Sequence, residues 1–144
     1  MVSTERLVKT LGGLAVLKFR ITTIEDLQKI IQAGLPYHAL EAFMERFGLA
    51  RTEVETVLGV PPRTMARRKR SRRLRPDESD RLIRLARLAA QAVQVFGKED
   101  KAATWMHRPI RALGSQTPLD LLRTDLGAKQ VEEVLGRIEH GVIS

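Results

Sequence analysis

Residues 76–97, PDESDRLIRLARLAAQAVQVFG, leave this chain little choice of secondary structure. Leu82, Leu85, Ala86, Ala89, Val93 and Phe96 recur at three- and four-residue spacing. That spacing collects them on one face of a helix and would scatter them over both faces of a strand. The stripe has to be covered, and the rest of the chain offers helices to cover it. TTIEDLQKIIQAG places Thr23 as N-cap with Asp26 three positions on, sets Ile24, Leu27, Ile30 and Ile31 on one face, and stops at Gly34. LPYHALEAFMERFG puts Pro36 in a first turn, aligns Leu40, Phe43, Met44 and Phe47, and ends at Gly48. RTEVETVLG predicts a capping box from Thr52 and Glu55, buries Val54, Val57 and Leu58, and stops at Gly59. Within the long segment, Asp77–Arg81 and Asp80–Arg84 are spaced as i,i+4 ion pairs with the acid first.

Beyond Gly97 the pattern predicts a short helix around EDKAATWM, a loop, a helix start at Thr117–Pro118–Asp120, and a last helix through VEEVLGRIEHG. The fold class expected is all-α. Residues 1–22 read either as a helix pair split at Gly12–Gly13 or as a short arm. The best organisational break lies near Gly97–Asp100, which divides the remainder into 23–97 and 98–144.

Charge is distributed unevenly over these helices. Arg63, Arg67, Arg68, Lys69, Arg70, Arg72, Arg73 and Arg75 fall within 13 residues that contain no acid, and the net charge is +8. Removing those eight from the 25 basic residues leaves 17 against 17 acids, so the whole positive excess sits in one segment. From Lys98 onward seven basic residues face seven acidic ones. Such a cation run repels itself, which a polyanionic partner would relieve. A solvated face, an import signal or an RNA-binding patch has a similar composition. No Phe, Tyr or Trp lies between residues 48 and 95 to stack unpaired bases, which favours duplex DNA.

The setting of the run sharpens the reading. TEVETVLGVPPRTMARRKR has the rhythm of a helix-turn-helix, whose second helix enters the major groove. Arg63, Thr64, Arg67 and Arg68 are then expected at base edges and near phosphates, and Lys69, Arg70, Arg72 and Arg73 along the backbone. Glu55 departs from the pattern, because a small residue usually stands four positions before the turn glycine. Two-fold DNA sites call for a homodimer.

Chemistry for catalysis is sparse. The chain has no cysteine, which excludes thiolate metal sites and Cys nucleophiles and fits a reducing cytoplasm. His38, His107 and His140 lack metal-ligand spacing, and no serine has a nucleophile-elbow context. No run of about 18 apolar residues suggests a membrane span, and the apolar stretch in MVSTERLVKTLGGLAVLKFR is too broken for a secretory signal. No enzyme activity and no cofactor are expected.

A family resemblance enters with the C-terminal segment. ALGSQTPLDLLRTDLG followed by VEEVLGRIEHGV, preceded by ESDRLIRLARLAAQAVQVFG and AATWM, closely resembles the Xre/MbcA/ParS-type antitoxins, partners of RES-domain toxins. GLPYHAL and RTMARRKR fit the Xre-like half of the same family. The resemblance implies a helix-turn-helix domain followed by a small helical toxin-binding domain. It also implies neutralisation of an NAD⁺-depleting RES toxin, and repression of the protein's own operon through promoter DNA, within a larger toxin–antitoxin complex. The residues expected to meet the toxin are Trp105, Arg137, His140, Gly141, Val142, Ile143 and Ser144. Trp105 has a competing role in packing a small core with Leu113, Leu119, Leu122 and Val131. Two other functions stay open: a stand-alone helix-turn-helix regulator whose C-terminal domain only dimerises or senses something else, and a nucleic-acid-associated adaptor that uses the basic run without sequence specificity.

Overall fold

A computed structural model describes residues 2–18 and 20–141 of the chain. Its elements are α1 (Thr4–Thr10), α2 (Gly13–Leu17), α3 (Ile24–Ala33), α4 (Tyr37–Phe47), α5 (Arg51–Leu58), α6 (Pro62–Ser71), α7 (Pro76–Phe96), α8 (Glu99–Met106), α9 (Pro118–Leu121) and α10 (Asp125–Glu139). A single 3-10 turn covers Arg111–Leu113. Among the described residues β structure is limited to two isolated bridges, Pro36 with Arg73 and Ile110 with Gln116. The fold is all-α, as the periodicity required.

Helix ends sit where local pairs of residues specify them. The Thr23 hydroxyl accepts the Asp26 N–H at 3.1 Å, and the Asp26 carboxylate accepts the N–H groups of Thr22 and Thr23 at 3.0 and 3.2 Å. These backbone hydrogen bonds hold the Asp26 carboxyl below its ordinary value. Thr117 caps α9 through the Asp120 N–H at 3.1 Å. At α5 the expectation fails. The helix begins at Arg51, and the Ala50 N–H donates to Glu53 Oε1 at 2.8 Å, so Thr52 and Glu55 form no capping box. Glu55 falls a turn deeper, where it is buried and meets Arg51 Nε at 3.2 Å.

The two intrahelical pairs expected in α7 are also replaced. Arg81 donates to the Leu58 carbonyl at 2.8 Å, closing the C-terminus of α5. Arg84 reaches the Leu122 carbonyl at 3.4 Å and Asp125 at 3.8 Å. An exposed i,i+4 pair stabilises by only about 0.2–0.5 kcal/mol. A guanidinium that satisfies an orphan helix carbonyl does more, because a buried acceptor without a partner costs about 1–3 kcal/mol.

α7 is the axis of the molecule. Besides the expected stripe, Ile83, Leu88, Ala90 and Ala92 are buried, so its middle is enclosed on most sides. It packs against α1, α3, α5, α8 and α10, and the buried apolar side chains from Leu7 to Leu135 form one continuous cluster. Residues 4–17 are a helix pair divided at Gly12–Gly13; α1 lies on α7 and α2 on α4. At the α3–α4 joint, a Cβ on Gly34 would lie 2.2 Å from the Leu74 carbonyl oxygen. Ser79, fully buried, accepts the Leu35 N–H at 2.8 Å and donates to the Arg75 carbonyl at 2.8 Å.

The C-terminal motif has a similar steric origin. Thr124 caps α10 by accepting the Gly127 N–H at 2.9 Å. A Cβ on Gly127 would stand 1.9 Å from the Leu121 carbonyl oxygen, whereas one on Gly136 would meet nothing. Gly127→Ala is therefore expected to destabilise the protein by about 2–3 kcal/mol. Gly136→Ala in the same helix should stabilise it by up to about 1 kcal/mol. Urea unfolding followed by circular dichroism distinguishes the two; equal midpoints for both variants would contradict the steric account.

Candidate nucleic-acid and partner interfaces

α5 and α6 are joined by Gly59–Val60–Pro61. Gly59 takes a left-handed φ of 66°, and the Val60 N–H donates to the Glu55 carbonyl at 2.9 Å. Val60 is buried and pins the turn, and Met65 is the one fully buried side chain of α6. At 3.6 residues per turn, Arg63, Arg67 and Arg70 fall within about 60° of one another, on the side opposite Met65. All three are exposed. Thr64 is half-buried on one flank, and Lys69 is exposed on the other.

The rest of the basic run does different work. Arg68 Nε lies 2.7 Å from Glu78 Oε1 and its Nη2 lies 3.1 Å from Oε2, a fork-to-fork ion pair with side chains 13% and 5% exposed. Donating these hydrogen bonds to the Glu78 carboxylate raises the Arg68 guanidinium above its ordinary value. Arg68 was expected at the DNA; here it is tied to α7. Arg73 donates to the carbonyls of Ala33 and Gly34 at 3.2 and 2.9 Å, so it caps α3 rather than standing free. Arg72 ends α6 at φ 64°, and its carbonyl accepts the Tyr37 N–H at 3.0 Å. Arg75 is exposed and lies 3.8 Å from Asp77. Glu78 carries no sequence signature of this contact beyond being an acid at the third position of α7, ten residues after Arg68.

The expected partner residues separate into two groups. Trp105 is 8% exposed and packs on Phe96 at a centroid distance of 5.4 Å, within the core cluster that also holds Leu113, Leu119, Leu122 and Val131. Arg137 and His140 line a depression of about 410 Å³ with Glu133 and Gly136, at the end of α10. Gly141 follows at φ 74°. Val142, Ile143 and Ser144 lie outside the described residues. Ile138, not singled out from sequence, continues the stripe of Val131, Val134 and Leu135 by one turn but is 42% exposed. Another contact without a sequence signature is His107, whose Nε2 lies 2.9 Å from Glu53 of α5. Among the described residues no cluster of three metal-ligating side chains occurs.

A helix-turn-helix with an outward cation stripe, continued through a shared long helix into a second helical half, puts this chain in the class of two-part helix-turn-helix proteins. Residues 26–87 match the Antitoxin Xre-like helix-turn-helix domain, and residues 91–141 match the Antitoxin Xre/MbcA/ParS C-terminal toxin-binding domain. The chain belongs to the Xre antitoxin family. A protein named Antitoxin Xre from Photorhabdus laumondii is 38% identical over 120 residues, 82% of this chain and 81% of that protein. The Antitoxin Xre of Yersinia enterocolitica is 36% identical over 116 residues, covering 79% and 78%. A chain in the crystal structure of the M. tuberculosis MbcT–MbcA toxin–antitoxin complex superposes with a TM-score of 0.54 at 26% identity. That match covers 86% of this chain and all of the other. The family consists of toxin-binding regulators rather than enzymes.

Because Trp105 is enclosed, Trp105→Ala should cost about 3–5 kcal/mol of stability in the isolated protein. Thermal denaturation without any partner measures it; an unchanged Tm would assign Trp105 to a contact surface instead.

Proposed function

We propose that this protein neutralises a RES-domain, NAD⁺-depleting toxin and represses its own operon, binding the promoter as a homodimer in the cytoplasm. The observation that carries the reading is the joining of the two matched domains in one core. In this reading 23–97 serves as the DNA-binding part and 98–144 as the toxin-binding part, with α1 and α2 packed on α7 and α4 of the first part. Among the described residues no helix is long and apolar enough to cross a membrane.

The DNA-facing set is narrower than the basic run. Arg63, Arg67 and Arg70 lie along about 10 Å of helix on one face, suited to a groove. Arg63 and Thr64, in the first turn, are assigned to base edges; Arg67, Lys69, Arg70 and Arg72 are assigned to phosphates. Four phosphates per subunit give a dimer a log–log salt slope of about −7. Replacing Arg63 and Thr64 by Ala should relax sequence preference, whereas replacing Arg70 and Arg72 should weaken binding to all duplexes alike. Equal losses on every duplex from both pairs would contradict this division.

On the other half, the end of α10 is the proposed toxin contact. Ile138 extends an apolar stripe beyond the body, beside Arg137 and His140, and Val142–Ser144 follow. Co-expression with the product of the adjacent gene tests the function directly: a toxic neighbour should be silenced by the full chain. Deleting residues 142–144 should weaken that rescue, and full rescue by the truncated chain would remove those residues from the interface. A harmless neighbour would favour the stand-alone regulator.

A further inference from the structure

Among the charged groups of the reading half, Glu78 is the one acid that meets α6. It is 4% exposed, and its carboxylate accepts three hydrogen bonds. Two come from Arg68, at 2.7 and 3.1 Å, and the third from the Arg75 N–H at 2.9 Å. Asp77 beside it is largely exposed and faces Arg75. The carboxylate thus joins the body of α6 to the first turn of α7.

Two physical consequences follow from that position. Met65 and Arg68, one turn apart, hold the middle of α6 to the body, and the Arg72 carbonyl holds its end through the Tyr37 N–H; the Arg68–Glu78 pair thereby helps fix the rotation of α6 about its own axis. That rotation decides which side chains face outward, and it selects Arg63, Arg67 and Arg70. The pair also removes a cation. An Arg68 without its partner could swing from its flank to the nearest phosphate and add an attraction indifferent to sequence. Stability alone is a weak reason for such a pair, because buried ion pairs are often no better than apolar replacements.

We propose that Glu78 is a specificity-determining residue: it withholds Arg68 from the phosphate backbone and sets the rotation of the reading helix. The inference rests on the DNA-binding reading above. Glu78→Gln keeps the shape and an acceptor for the Arg75 N–H but loses the charge that retains Arg68. On a random-sequence 20-bp duplex, its log–log salt slope should be steeper than that of the wild type by about 0.9 per subunit. Its preference for the operon's promoter over random duplex should fall about tenfold, the scale of one lost base contact. The double variant Arg68→Met/Glu78→Gln removes both charges, and its slope on random duplex should return to the wild-type value.

Circular dichroism establishes which variants are folded. A folded Glu78→Gln protein whose slope is unchanged or shallower overturns the inference. If that variant does not fold, the double variant decides. A slope shallower than wild type by about 0.9 per subunit would mean that Arg68 already touches phosphate, and the inference fails. A wild-type slope supports it. Wild-type protein that binds no duplex at low salt overturns the DNA-binding reading, and this inference with it. Wild-type binding that a folded Glu78→Gln protein leaves unaltered overturns this inference alone.

Discussion

The burial of α7 is the condition on which the other elements depend. A helix with one apolar stripe can lie on the surface of a bundle. One that also buries Ile83, Leu88, Ala90 and Ala92 has to be enclosed by neighbours on most sides. Those neighbours come from every part of the chain: α1 from its start, α3 and α5 from the helix-turn-helix half, α8 and α10 from the C-terminal half. The two family matches meet inside this helix, at residues 87 and 91. Neither half keeps a complete core without it, and the hydrophobic contribution of about 25 cal/mol per Å² buried is shared between them.

Enclosing a helix in this way brings helix ends together, and the arginines answer the problem this creates. The last carbonyls of a helix have no intrahelical donor. Arg73 supplies one to α3, Arg81 to α5 and Arg46 to the Lys9 carbonyl of α1. Arg84 reaches across to the α9–α10 joint. The basic character of this protein is therefore two populations. One closes the backbone of the fold, and the other, Arg63, Arg67 and Arg70 of α6, faces outward without an ion pair among the described residues. Formal charge does not separate them; partner geometry does.

That separation also marks the limit of what the sequence discloses. Helix ends specified by neighbouring residues, such as Thr23 with Asp26 and Thr117 with Asp120, were legible because cap and partner lie three positions apart. The start of α5 was missed because Ala50 has no capping side chain, while Thr52 and Glu55 offered a stronger local pattern two residues too late. Arg81 and Arg84 were misassigned for a related reason. The i,i+4 rule describes neighbours on an isolated helix, and tertiary packing presents them with carbonyls 23 and 38 residues away. The helix-turn-helix was legible as a rhythm, but the roles of Arg68 and Arg73 depend on contacts that rhythm does not encode. Ile138 shows the converse limit: periodicity places it on the core face, and only the length of α10 relative to the core leaves it exposed.

The same helix organises both ends of the molecule. At its N-terminus α7 holds Glu78, to which Arg68 of α6 is tied; it also packs on α10, whose end carries the exposed Ile138. A second tie links the halves where Glu53, while accepting the Ala50 N–H that starts α5, faces His107 at the end of α8. The path from one interface to the other therefore runs through a continuous helix and one packed cluster, with no flexible linker between them. Relative motion of the halves would have to break the enclosure of α7, and cores packed to native density resist such changes. The orientation of the cation stripe relative to the end of α10 is thus a property of the fold itself.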